Sequence, residues 1–168
     1  MNPAAAQPAI ETMRIRPATV ADVEVVLSLI HELAEYEKLL HEVVATPALV
    51  REALFGQKPV AECVLACLGE QPVGFALFFH NYSTFMGRAG LYLEDLFVRP
   101  EHRGQGIGEA LLRHLARLAL ERGCSRMEWA VLDWNKRAIE FYERMGAVGI
   151  HDWSVFRLTG PALLRLGS

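Results

Sequence analysis

Apolar positions along the chain recur with two different periods. Val23, Val26, Leu27, Ile30, Leu33 and Ala34 follow the three-and-four spacing of one helix face. Thr19 stands before this stripe as an N-cap, with Asp22 three residues on in a near capping box, and the pattern predicts a helix to about Lys38. A second helix is expected behind Thr46, with Pro47 in its first turn and Gly56 just past its end. The period then drops to two. Residues 61–68 and 72–80 read as strands joined through Gly-Glu-Gln in a hairpin, and residues 90–98 (GLYLEDLFV) as a third strand after a polar loop. A short strand over residues 13–16, closed by Pro17, is expected before the first helix. Further on, Leu111, Leu112, Leu115, Leu118 and Ala119 stripe a long helix to about Arg122, stopped by Gly123. Residues 126–132 alternate as a strand, and Asn135 caps a helix ending at Gly146. Residues 148–158 are expected to form a last strand region, and residues 161–166 a short amphipathic end.

Hairpins early in the chain and βαβ-like units later call for an α/β fold, with one central, mostly antiparallel mixed sheet and helices on both faces. At 168 residues there is room for one domain, over residues 13–168. Residues 1–12 are small, interrupted by proline and nearly uncharged, and read as a flexible tail.

Composition removes several classes. Apolar residues make up 52% and charged residues 22%, enough for both a core and a soluble surface, so a disordered chain is excluded. Lys plus Arg is 17 and Asp plus Glu is 20, without the basic excess of a nucleic-acid binder. No apolar run is long enough for a helix to cross a bilayer, and the start lacks the basic and apolar regions of a secretory signal. Cys63, Cys67 and Cys124 are too few and too odd in number for a disulfide scaffold, so a cytoplasmic setting is expected. The six histidines show no tight ligand spacing, and no metal is expected.

The densest chemistry lies in Arg103-Gly104-Gln105-Gly106-Ile107-Gly108, between a predicted strand and a predicted helix. Glycines there let backbone N–H groups approach an anion, and the helix N-terminus adds partial positive charge. A dinucleotide fingerprint would need glycine where Glu109 stands, and a P-loop would need Gly-Lys-Ser/Thr. The spacing fits the pyrophosphate loop of acetyl-coenzyme A enzymes, and the alternative is a glycine-rich turn that holds no ligand. Charge is also split along the chain. Residues 19–52 hold seven acids against two bases, and residues 99–126 hold six arginines against three glutamates. A cationic substrate at the first and an anionic cofactor at the second suit this division.

Two further residues have more than one reading. Glu94 and Asp95 are adjacent in an apolar strand, so alternation sends their side chains to opposite faces and only one to a given cleft. Glu94 is either a base or ammonium anchor, or the partner of an arginine. Tyr142 falls in the stripe of Ala138, Phe141 and Met145, which by pattern alone is a core tyrosine with its hydroxyl at an edge.

The chain resembles the GNAT acetyltransferase superfamily, and within it the spermidine/spermine and thialysine acetyltransferases. The stretches carrying the resemblance are Ile15-Arg-Pro-Ala-Thr19, Leu29-Ile-His-Glu-Leu-Ala-Glu-Tyr-Glu37, Leu91-Tyr-Leu-Glu-Asp-Leu-Phe-Val98, the Arg103 to Gly108 loop, and Trp134-Asn135 through Phe141-Tyr142 to Gly146-Ala147. The resemblance implies acetyl transfer from acetyl-coenzyme A to a primary amine of a small cationic substrate, by direct attack in a ternary complex of a homodimeric enzyme. By position, Leu96, Phe97 and Val98 would meet the pantetheine arm. Arg103, Gly104, Gln105, Gly106, Ile107, Gly108 and Glu109 would wrap the pyrophosphate, and Asn135, Lys136, Arg137 and Ala138 would lie along the cofactor. Tyr142 matches the general acid. Tyr36, Glu37, Glu94, Glu128, Trp129, Ala130 and Trp153 match positions bordering the amine. The segments Lys38-Leu39-Leu40-His41 and Ser83-Thr84-Phe85-Met86 lack the acids that polyamine enzymes of this group carry, which weakens spermidine and leaves a shorter amine or a thialysine-like amino acid. A non-catalytic acyl-coenzyme A binding module and a protein or peptide acetyltransferase are the alternatives on the same fold.

Overall fold

The computed structural model describes residues 12–168. The expected tail, residues 1–12, lies outside the described residues apart from Thr12. The chain divides into two compact units, the first ending at Ala130 and the second spanning Val131–Ser168.

The first unit is built on a five-stranded sheet in the order β1 (Met13–Pro17), β2 (Glu62–Leu68), β3 (Gln71–Ser83), β4 (Arg88–Val98) and β5 (Met127–Trp129). The first four strands pair antiparallel, and β5 runs parallel to β4. Helices α1 (Val23–Tyr36) and α2 (Pro47–Phe55) cover one face. There Val23, Val26, Leu27, Leu29, Val50 and Leu54 pack with Cys63, Leu65, Cys67, Phe75 and Phe97. The alternate residues Val64, Ala66, Ala76 and Phe78 are also buried but stand outside that cluster. Helix α3 (Ile107–Glu121) contacts β1, β3 and β4 and supplies the opposite layer through Ile107, Leu111, Leu112 and Leu115. Burial of each such side chain contributes about 1.5–3 kcal/mol relative to exposure. The α/β expectation of a mostly antiparallel mixed sheet with helices on both faces holds.

Local signals explain most element ends. Thr46 Oγ1 accepts the Leu49 N–H at 3.3 Å and Pro47 opens α2, as the sequence predicts. The start of α1 is more elaborate. A 3-10 turn, Val20–Asp22, precedes it, and Thr19 donates both its backbone N–H and its hydroxyl to Asp22 Oδ2, at 2.7 and 2.8 Å. The helix ends at Tyr36, short of the expected Lys38, because Lys38 takes the left-handed conformation, φ 62°. That conformation lets the Leu39 N–H reach the Ala34 carbonyl at 2.8 Å and closes the helix end.

One irregularity in the sheet bears on the site. Leu77 pairs with Asp95 while Phe78 pairs with Leu93, so Glu94 is an extra residue in β4, a β-bulge. Strict alternation sends Glu94 and Asp95 to opposite faces and places Leu91, Leu93 and Phe97 on one. The bulge breaks that parity. Phe97 joins the core under α1 and α2, whereas Leu91 and Leu93, also buried, do not.

The second unit holds α4 (Lys136–Arg144) and α5 (Gly160–Gly167). Two strand expectations fail at this end of the chain. The strand over residues 126–132 shortens to Met127–Trp129, and residues 148–158 form no strand. Alternating apolar residues become a strand only where a ladder partner exists, and among the described residues none pairs with that segment.

Candidate active site

Strand β5 pairs with β4 at Leu91, Tyr92 and Leu93, opposite Met127, Glu128 and Trp129, and stops there while β4 continues to Val98. From Glu94 onward that side of β4 has no β5 partner for its backbone groups. Leu96, Phe97 and Val98, expected on the pantetheine arm, lie in this stretch. An amide-bearing chain laid along it can take up these donors and acceptors as a strand would.

Beyond Val98 the chain makes a 3-10 turn, Pro100–His102, and passes through Gly104 and Gly106 at φ 77° and 79° before α3 starts at Ile107. These left-handed values suit glycine and strain other residues. A Cβ on either glycine would meet no atom within 4 Å, so the space beside the loop is open. Gly106, the N-cap, offers no side chain, and the first-turn amides of Ile107, Gly108 and Glu109 stand at the positive end of the α3 dipole. Glu109 directs its carboxylate to Arg113 at 2.8 Å. Gln105 is exposed between the two glycines. The loop thus fits a pyrophosphate by backbone geometry.

Arg103 is engaged elsewhere. Its Nε donates to the Val98 carbonyl at 2.8 Å. Its guanidinium lies 4.5 Å from the centroid of the Tyr36 ring and 5.4 Å from that of Phe97. Four residues earlier, Arg99 holds the Glu32 carboxylate through Nε and Nη2 at 2.9 and 2.8 Å, and donates to the Pro72 carbonyl at 3.1 Å. Both arginines tie the C-terminal half of α1 to the end of β4.

Three carboxylates share this region. Glu37 follows α1, Glu94 is the bulged residue, and Asp95 comes next in β4. Burial, then the charges of Glu94 and Glu37, push the Asp95 carboxyl up to about 6. Burial also raises Glu37. Sequence reasoning named Glu37 and Glu94 and passed over Asp95. The signal was an acid in an apolar strand, but alternation allowed only one of the adjacent pair to face the cleft. Glu128, expected beside the amine, has its Oε2 taken by Asn81 Nδ2 and Arg126 Nε, both at 2.8 Å. Trp129 ends β5, and Ala130 follows it, exposed, at the end of the unit.

In the second unit, Asn135 Oδ1 accepts the Ala138 N–H at 3.3 Å and caps α4, as expected. Lys136, Arg137 and Ala138 form its first turn. Tyr142 is half-buried, its ring centroid 5.2 Å from that of Phe141. Trp153 is exposed. Among the described residues no group of three or more His, Cys, Asp or Glu could hold a metal ion, and no helix is long and apolar enough to cross a membrane.

Comparison with known proteins agrees with this geometry. Residues 28–147 match the acetyltransferase (GNAT) family. The chain is 42% identical to a thialysine N-epsilon-acetyltransferase of Bos taurus, over 90% of this chain and 95% of that one. It is 34% identical to an L-ornithine N5-acetyltransferase of Arabidopsis thaliana, over 89% and 86%. An integron cassette protein from the mobile metagenome of V. cholerae superposes with a TM-score of 0.77 at 26% identity, covering 92% of this chain and 97% of that one. With the open glycine cradle, the stretch of β4 beyond β5 and these matches together, the chain belongs to the GNAT acetyltransferase family and is an acetyl-coenzyme A-dependent N-acetyltransferase.

Proposed function

We propose that the protein acetylates a primary amine of a small cationic substrate, by direct attack in a ternary complex. The observation that carries this reading is the grouping of Glu37, Glu94 and Asp95, in which Asp95 feels the charge of both neighbours. Like charges gathered in a partly buried place are stabilised by a cation, and an alkylammonium supplies one.

The relatives favour a short amine. Thialysine and ornithine, named for two of them, are amino acids with a side-chain amine. The segments Lys38 to His41 and Ser83 to Met86 carry no carboxylate, so a long polycation has fewer partners here.

Acetyl-coenzyme A, when bound, supplies an activated acetyl thioester. In this reading the backbone of Leu96, Phe97 and Val98 would hold its amide-bearing arm, the amides from Gly104 to Glu109 its pyrophosphate, and Asn135 to Ala138 would line it. Glu37 and Asp95 hold the ammonium. Glu94, exposed at the bulge, takes the proton that the amine must lose before it attacks, directly or through water. As nitrogen bonds to the acyl carbon and the carbon–sulfur bond breaks, the departing thiolate gains a proton, which Tyr142 donates.

A turnover screen with acetyl-coenzyme A against thialysine, L-ornithine, lysine, spermidine and small monoamines tests the reading. The expected order places the amino-acid side-chain amines first. Failure to acetylate any of these amines would end it.

We further propose a homodimer. Trp153, Val155 and Phe156 are exposed, and a second copy of the chain would cover them. Sedimentation at micromolar concentration should give twice the 18.8 kDa chain mass.

A further inference from the structure

Arg103 opens the glycine loop, yet its side chain serves α1. We propose that Arg103 is a positioning residue that sets Tyr36 and the adjoining Glu37 against the amine, and that the phosphate cradle is made without its side chain. This rests on the proposed amine-facing role of Tyr36 and Glu37.

The geometry is a double clamp. Glu32 and Tyr36 are four apart on α1 and so share one helix face. Arg99 and Arg103 are four apart across the 3-10 turn Pro100–His102. Arg99 grips Glu32 with two hydrogen bonds, and Arg103 covers Tyr36 one turn later. The Arg103 side chain is itself held. Its Nε–H is bound to the Val98 carbonyl, and the Phe97 ring, buried in the α1 core, lies against it as a fixed wall. A guanidinium suits this place because it is planar and keeps an N–H in its own plane while its face stacks on a ring. A lysine ammonium offers neither. Tyr36 is the last residue of α1, with Glu37 next and the left-handed Lys38 after it. Removing the guanidinium therefore releases the end of the helix that carries the amine-facing groups. The cradle from Gly104 to Glu109 works through backbone amides and keeps its shape.

A double-mutant cycle tests this, with Arg103→Met, Tyr36→Leu and the pair, and with Arg103→Lys as a fold-preserving check. Thialysine and L-ornithine serve as amine probes, acetyl-coenzyme A affinity is read by calorimetry, and folding by thermal melting. The amine KM should rise about tenfold in each single variant, with smaller change in kcat, and the double variant should be no more than about twofold worse than either single. Arg103→Lys should behave as Arg103→Met in KM, and acetyl-coenzyme A affinity should stay within about twofold throughout. An acetyl-coenzyme A affinity at least about tenfold weaker in Arg103→Lys with an unchanged amine KM would overturn the proposal and make Arg103 a phosphate ligand. Fully additive KM effects would overturn it as well. If the wild-type protein acetylates neither amine, the functional reading is judged by the wider amine screen, and the clamp separately by fluorine NMR of 3-fluorotyrosine protein. The Tyr36 resonance, assigned through Tyr36→Phe, should move in Arg103→Lys, and an unmoved resonance would refute the clamp.

Discussion

Arg16 meets Asp22 with both terminal nitrogens, Nη1 to Oδ2 at 2.8 Å and Nη2 to Oδ1 at 2.7 Å, while Thr19 donates two more hydrogen bonds to the same carboxylate. One side chain thus fastens β1, the turn after it and the start of α1. The hydrogen bonds from Arg16 hold the Asp22 carboxyl well below the usual carboxylate range. Arg99 lowers Glu32 in the same way. A depressed carboxyl contributes stability that is present above its unfolded value and lost as pH falls through the folded one. Stability should therefore decline below about pH 4, the unfolded carboxylate value. Asp22→Asn should cost about 2 kcal/mol at neutral pH and flatten the acid limb, read by thermal melting between about pH 2 and 7. An unaltered acid limb would count against the assignment.

Asp95 carries the opposite sign. Its carboxyl is pushed up to about 6 by burial and by Glu94 and Glu37, so the folded protein binds a proton that the unfolded chain has released. Stability from this group is present at low pH and lost as pH rises from about 4, the unfolded value, to about 6. Asp95→Asn should raise the melting temperature at about pH 8 relative to wild type, converge with it near pH 4, and weaken amine binding. A variant less stable than wild type in alkaline buffer would show that Asp95 is held by partners instead of strained by neighbours.

Glu37→Gln should raise the amine KM about tenfold, on the order of 1.4 kcal/mol, with little change in kcat, because it removes a charge pairing made equally in ground and transition states. A fall in turnover with KM unchanged would move Glu37 from binding to chemistry.

Gly106→Asp places a carboxylate beside the amides proposed to hold phosphate and forces an L-residue to φ 79°. Acetyl-coenzyme A affinity should weaken at least tenfold, about 1.4 kcal/mol, by calorimetry. Gly106→Ala isolates the backbone strain and should cost about 1–2 kcal/mol of stability, with the smaller loss of affinity.

Tyr142→Phe keeps the ring against Phe141 and deletes the hydroxyl. Positioned acid catalysis is worth roughly 10² to 10⁴ in rate, so turnover should fall within that range while cofactor affinity holds. A variant that melts several degrees lower yet acetylates at the native rate would return Tyr142 to a structural role.

What the sequence determined by itself is what local rules govern. Thr46-Pro47 and Asn135 announced their helices because an N-cap is satisfied within a few residues. The stripe of Leu111, Leu112 and Leu115 located α3 because burial of one face needs only the helical period. The glycines at 104 and 106 marked the left-handed turn into α3 because the conformational freedom of glycine is a local property. Tertiary structure decided the rest. The bulge at Glu94 depends on how β3 and β4 register, and it overturned the alternation that had set Asp95 aside. The stacking of Arg103 on Tyr36 lies beyond any local pattern, since α1 and the glycine loop meet only once the sheet has formed between them in the chain. Residues 148–158 alternate as a strand should, yet a strand is made by its neighbour's hydrogen bonds, and no period in one segment can supply the neighbour.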